Sequence, residues 1–138
     1  MARAFGEMGI RELQAGLAAK EFSALEVAKA TFARIAAADE TVHAFLETTE
    51  ALAIDTAARI DKAIAEGRLA EMGPLAGVPV GYKDNLNLTG THTTCASNML
   101  RDYVSPYTAT CVENTLRAGA IPIGKLNMDE FAFGGSTE

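Results

Sequence analysis

The chain has 138 residues, 49% of them hydrophobic and 22% charged, with a formal net charge of -6 at pH 7. That balance predicts an ordinary globular domain, and the acidic charge argues against this chain alone gripping nucleic acid, which needs a basic face. No run reaches the ~18 apolar residues of a membrane span. The start, MARAFGEMGIREL, lacks a signal-peptide core, so a cytoplasmic chain is expected. Cys95 and Cys111 fit no CxxC or Cys/His spacing and read as reduced thiols; no metal site is predicted.

The first third is helical in pattern. Ile10, Leu13 and Leu17 fall at i, i+3, i+7 and predict one apolar helix face. Ser23 and Glu26 form a capping box ahead of Leu25, Ala28, Phe32 and Ile35. A third helix is expected from about Thr48 to Glu66, with Ala53, Ala57, Ile60 and Ile64 as its stripe and Gly67 as its stop.

The character changes at Gly73. GPLAGVPVGYKDN, residues 73–85, reads as a loop feeding a buried strand. Residues 87–107 form a long polar loop, predicted to be ordered. Thr110 and Glu113 read as a second capping box, opening a helix that Gly119 stops. AIPIGK, residues 120–125, is a second short strand, and Pro122 predicts that it lies at an edge or a bulge. Strand, crossover helix and strand make a parallel βαβ unit. Residues 127–130, NMDE, are expected to cap a short helix. The fold class is therefore α/β: a helical layer over about 1–70, then the first strands of a mixed sheet with a crossover helix over about 73–138.

Lys83 is the leading candidate for chemistry. In open α/β sheets ligands sit outside the carboxyl ends of strands. Burial disfavours an ammonium, so a partly desolvated lysine there can act as a base near neutral pH. Spacing alone favours the plainer alternative, a lysine turned to solvent or paired with Asp84. Ser136, behind Gly134 and Gly135, is a second candidate as nucleophile or ligand, since glycines let backbone approach a substrate. Asp129 and Glu130 read as cap and surface, and His43 as a helix-end or surface residue. His92 has no companion pattern. Residues 93–97, TTCAS, either line a pocket or form a hydrogen-bonded loop.

GPLAGVPVGYKDN (73–85), TTCAS (93–97), PYTAT (106–110), RAGA (117–120) and GKLNMDEFAFGGSTE (124–138) occur in that order, after a D-x-x-V-x-A-F-L pattern from Asp39 to Leu46. Together they resemble the amidase signature family. Within it they look most like the A subunits of amidotransferases that act on glutamyl-tRNA(Gln) and aspartyl-tRNA(Asn).

The resemblance implies an amidase signature fold and a Lys-Ser-Ser triad. Lys83 matches its lysine, a neutral base that takes a proton, through a bridging serine, from a nucleophilic serine. That serine attacks the amide of glutamine, releases ammonia and leaves an acyl-enzyme that water clears. Backbone amides of a glycine-serine loop stabilise the oxyanion.

Gly135, Ser136 and Thr137 match positions near the site, outside the triad. Ser23, Ser97 and Ser105 match neither triad serine, both of which lie downstream of the STE motif in the family. Residues 1–138 are accordingly expected to be the N-terminal part of a single, longer amidase domain, inactive alone. Its strand edges are expected to be exposed and its C-terminus loosely ordered, with self-association of the chain.

The implied partners are the B and C subunits of the amidotransferase. The partner would take the ammonia, use ATP and Mg, and make most tRNA contacts. No cofactor is expected on this chain, nor any membrane contact. Two alternatives stand beside this reading: a free-standing amidase acting on another small amide, and a non-catalytic interaction module built on the helical layer of residues 9–66.

Overall fold

The computed structural model describes residues 5–136. A single 3-10 turn at Phe5–Glu7 precedes α1 (Ile10–Ala18), which buries Leu13 and Leu17. Ile10, assigned to the same apolar face, is instead 54% exposed. It occupies the first turn, beyond the reach of the packed layer.

The capping box forms as predicted and opens α2 (Ala24–Val42). The Glu26 amide donates to the Ser23 hydroxyl (3.0 Å), and the Ser23 amide donates to the Glu26 carboxylate (2.7 Å). Two further free amides of that helix end, Ala24 and Leu25, donate to Asp61 of the neighbouring helix (2.7 and 3.0 Å). The Ser23 backbone amide, and then its hydroxyl, hold the Glu26 carboxyl below its ordinary 4.5. A carboxyl depressed in the folded state stabilises the fold above its unfolded value, and that contribution disappears as pH falls through the folded value. Ser23→Ala, which removes the N-cap acceptor of α2, is expected to cost about 1 kcal/mol at pH 7. The deficit of Glu26→Gln relative to the parent should shrink as pH drops below 4.5. Urea unfolding at neutral and acid pH measures both, and a Glu26→Gln deficit independent of pH would contradict the second.

His43 ends α2 in the left-handed conformation (φ 53°), a helix-end residue as expected. The next residues depart from the sequence reading. Phe45–Thr48 form a strand, β1, so α3 begins only at Glu50 and runs to Ala65. Ala53, Ala57 and Ile60 bury the predicted stripe, and Gly67 at φ 73° closes the helix end.

β2 (Pro79–Lys83) and β3 (Ile121–Leu126) pair in parallel, joined through α4 (Thr110–Arg117). β1 adds to the other side of β3, antiparallel, giving the order β1-β3-β2. Pro122 therefore sits in the central strand, not at an edge. The bulge half of the expectation holds. The register passes from Val80↔Pro122 to Gly81↔Gly124, skipping Ile123, and the Pro122 carbonyl accepts from the Thr49 hydroxyl (2.8 Å).

The second predicted capping box does not form. Thr110 is the first residue of α4, its N-cap is Ala109, and no side chain caps the end. A capping threonine would have to sit one residue earlier, in extended conformation. At the NMDE stretch the short 3-10 turn is Glu130–Ala132, with Asp129 as N-cap and no side-chain cap bond. The Asn127 side chain instead accepts from the Met128 amide (2.8 Å).

The main core joins Leu13 and Leu17 of α1, Val27, Ala28 and Phe32 of α2, and Ala53, Ala57 and Ile60 of α3 to Val78 and Ile121 at the sheet. The many alanines bring helix backbones close and give α2 and α3 a tight contact. A second cluster, Tyr82, Leu88 and Val112, seats α4. Among the described residues, no helix is long and apolar enough to cross a membrane.

Candidate functional site

β2 and β3 end side by side, with Lys83 opposite Leu126 in register. The last turn of β2 is well anchored. Tyr82 is buried, and its hydroxyl lies 2.8 Å from that of Thr115 on α4. Burial pushes the phenol above its ordinary 10.0, and the bond to Thr115 works the other way. Lys83 follows as the final strand residue and is exposed. The desolvation expected for it is thus not found in this chain, because Lys83 sits where β2 leaves the sheet and nothing covers it. Nor does it pair with Asp84, whose carboxylate is committed elsewhere.

That commitment is the main feature which sequence reasoning missed. Lys125, in β3, is 0% exposed and Asp84 1% exposed. The Lys125 ammonium donates to Asp84 Oδ1 (2.9 Å), to the His92 carbonyl (2.7 Å) and to Thr93 Oγ1 (3.0 Å). Asp84 Oδ2 accepts from the Thr94 amide (2.8 Å) and the Thr94 hydroxyl (2.5 Å). The Asp84 backbone amide donates to the Leu126 carbonyl (3.0 Å). The pair thus ties the ends of both strands to residues 92–94. Its signal in the sequence was a lysine at the end of the apolar run AIPIGK and an aspartate directly behind the Lys83 strand.

Residues 87–107 form an ordered loop, as predicted. A bridge joins His92 to Val104. The Ser105 amide donates to Thr91 (2.9 Å), and the Ser105 hydroxyl to the Tyr107 carbonyl (2.6 Å). Glu47 of β1 accepts from the His92 amide (2.8 Å), with His92 Nδ1 3.1 Å from the same oxygen. His92 therefore does have a companion, 45 residues away in sequence.

TTCAS is both a hydrogen-bonded loop and a pocket wall. A cleft of about 500 Å³ lies at this end of the sheet, with Glu47, Asp84, His92, Thr94, Ser97 and Arg101 among its lining. The buried Ser97 hydroxyl donates to Glu130 (2.6 Å), and the Phe131 amide to the Cys95 carbonyl (3.0 Å). Cys95, Ala96, Phe131 and Ala132 all have φ between 51° and 62°. Two left-handed dipeptides thus face each other, a backbone conformation costly for residues other than glycine.

Glu130 lies at the surface as expected, and it also receives Ser97. Gly135 and Ser136 follow in an exposed stretch, and Thr137 lies outside the described residues. Among the described residues, no group of three His, Cys, Asp or Glu side chains could hold a metal ion, and Cys95 and Cys111 are free. A larger groove of about 540 Å³ opens between the N-terminal turns, α2 and the start of β2, lined by Phe5, Met8, Leu13, Val27, Val78 and Pro79. It is apolar and at the wrong end of β2 for a strand-end site.

Residues 26–138 match the protein-family model described as Amidase. The chain is 47% identical over 131 residues to the A subunit of glutamyl-tRNA(Gln) amidotransferase from Carboxydothermus hydrogenoformans, covering 95% of this chain and 27% of the relative. It is 48% identical over 129 residues to the protein of the same description from Thermosynechococcus vestitus, covering 94% and 26%. It therefore spans about a quarter of the length of these curated relatives. Among solved structures, the native peptide amidase from Stenotrophomonas maltophilia superposes with a TM-score of 0.84 at 33% identity, covering 92% of this chain and 26% of that one.

Proposed function

This chain belongs to the amidase family, and we propose that it is the lysine-bearing part of the glutamine-hydrolysing component of a tRNA-dependent amidotransferase. The observation that carries the reading is the 47% identity over 131 residues to the A subunit of a glutamyl-tRNA(Gln) amidotransferase. The position of Lys83 supports it: the residue ends β2 at the sheet's carboxyl edge, next to the aspartate that anchors residues 92–94. In this reading Lys83 is the neutral base that takes the proton of a nucleophilic serine through a bridging serine. Both serines are supplied from sequence matching the other three quarters of the relatives. The exposed lysine found here would become covered when those parts pack over it, and loss of water would favour its neutral form. Gly135, Ser136 and Thr137 would lie near the substrate.

Glutamine is the amide donor, and its ammonia passes to a partner protein. That partner, of the B and C type, uses ATP and Mg to activate the aminoacyl group and makes most of the tRNA contacts. No cofactor is assigned to this chain.

A chimaera tests the proposal: the Carboxydothermus hydrogenoformans relative, carrying this chain's matched residues in place of its own and assembled with its partners. It is expected to release ammonia from glutamine. Lys83→Ala should lower kcat by about 10²–10⁴-fold, the usual contribution of a positioned base. Undiminished turnover in a folded Lys83→Ala chimaera would rule out Lys83 as the base. Preference for a peptide amide over glutamine would favour a free-standing amidase.

A further inference from the structure

Lys125 and Asp84 are buried, charged and hydrogen-bonded to each other, and the proposed glutamine chemistry makes no direct use of either. We infer that they are positioning residues, which fix Lys83 and residues 92–97 in one geometry for amide hydrolysis; the inference rests on the proposed role of Lys83.

The bonding pattern points to positioning. The three donors of the Lys125 ammonium go to three different residues, Asp84, His92 and Thr93. Both carboxylate oxygens of Asp84 are used, one by Lys125 and the other by Thr94. Both of its backbone groups are used too: its amide donates to Leu126, and its carbonyl accepts from the Cys95 amide (3.4 Å). The residue directly behind Lys83 is thus held at four points. Charge-assisted bonds are short and directional, so such a cluster tolerates little displacement.

Stability alone does not call for this arrangement, since well-packed apolar residues commonly replace a buried ion pair at no loss. The hold also extends outward. Cys95 and Ser97 bond the 130–131 turn, which leads to Gly134, Gly135 and Ser136. One buried pair therefore links the proposed base to the glycine-serine segment. A displacement of ~1 Å in a catalytic group costs about 100-fold in rate.

The test uses the chimaeric, partner-assembled enzyme and measures kcat and KM for glutamine together with Tm. Lys125→Met is expected to lower both Tm and kcat, the latter by about 100-fold, with KM changed less than about threefold. The charge-free double variant Lys125→Met/Asp84→Asn should regain most of the lost Tm yet keep the low kcat, because the tethers to His92 and Thr93 stay broken. Thr93→Val removes a single tether, keeps both charges, and should lower kcat several-fold with a smaller fall in Tm than Lys125→Met gives. If Lys125→Met does not fold, the double variant and Thr93→Val decide. A double variant that regains parental kcat along with Tm, or a parental kcat in folded Thr93→Val, would overturn the inference and leave the pair as charge compensation only. Lys83→Ala separates the two levels. Turnover surviving Lys83→Ala removes the base itself; turnover lost there but intact in the folded Lys125 and Thr93 variants removes only the positioning.

Discussion

Lys125→Met in the 138-residue chain is expected to lower stability by about 3–5 kcal/mol, the usual cost of stripping one partner from a buried ion pair. With the unfolding entropy of a domain this size, that corresponds to a fall in Tm of about 10–20 °C. The effect comes less from the lost attraction than from what is left behind. Asp84, at 1% exposure, would be left with no counter-charge. The Thr94 amide and hydroxyl would still donate to it, which places the loss inside that range and not above it. The His92 carbonyl and the Thr93 hydroxyl would each lose a partner as well. The surface pair Arg117–Glu113, with side chains 74% and 44% exposed, serves as the control. Arg117→Ala should change stability by less than about 1 kcal/mol, because exposed pairs gain little over hydration. Urea or thermal unfolding of the two variants against the parent makes the comparison. Equal losses would mean that the Lys125 site is wetter than the structure shows.

What the sequence made legible follows how local each cause is. The Ser23 capping box spans four residues and needs no tertiary partner, so it was readable and it forms. The Gly67 stop and the parallel β2–α4–β3 unit are set by similarly short-range punctuation. β1 was hidden because four residues with alternating burial carry little pattern of their own. Phe45–Thr48 are extended because the open side of β3 takes their backbone, a reason that lies about 78 residues away. Pro122 departs from the edge expectation for a related cause. A proline argues against a central strand only where the ladder needs its nitrogen, and here the register shift at Val80/Gly81 breaks the ladder at that point. At the site, Lys83 could be singled out because it ends a strand in a distinctive motif. Lys125 and Asp84 could not be paired by periodicity, since one lies in β3 and the other just past the end of β2, 41 residues apart. Their pairing became visible only when the parallel register set the two strand ends side by side.

The register itself depends on a junction at the opposite end of those strands, and there Gly119→Ala is expected to cost about 2–5 kcal/mol. Gly119 has φ 89°, and a Cβ on it would lie 2.4 Å from the Met72 carbonyl oxygen and 2.8 Å from the Ala76 Cα. These are backbone atoms, which cannot turn aside as a side chain can. Gly73 meets the same turn from the other side: at φ 94°, its own Cβ would lie 2.8 Å from the backbone of Ala118. The Leu75 amide donates to the Ala118 carbonyl (2.7 Å), and the Gly77 amide to the Gly119 carbonyl (3.2 Å). The loop entering β2 and the turn entering β3 thus lock backbone to backbone. Alanine at 119 would bring the left-handed penalty of about 1–2 kcal/mol together with overpacking of about 1–3 kcal/mol. Gly67→Ala isolates the first term, because Gly67 also has a positive φ (73°) but faces open space; its cost should stay near 1–2 kcal/mol, roughly the left-handed penalty alone. Denaturant unfolding of both variants separates strain from contact, and a Gly119→Ala loss no larger than that of Gly67→Ala would show that the two turns are not locked. The consequence reaches the far ends of the strands. Shifting this junction should also loosen the Lys125–Asp84 contact, so Gly119→Ala is expected to speed amide exchange at Thr94, whose amide is held by Asp84, before it does so in the α2–α3 core.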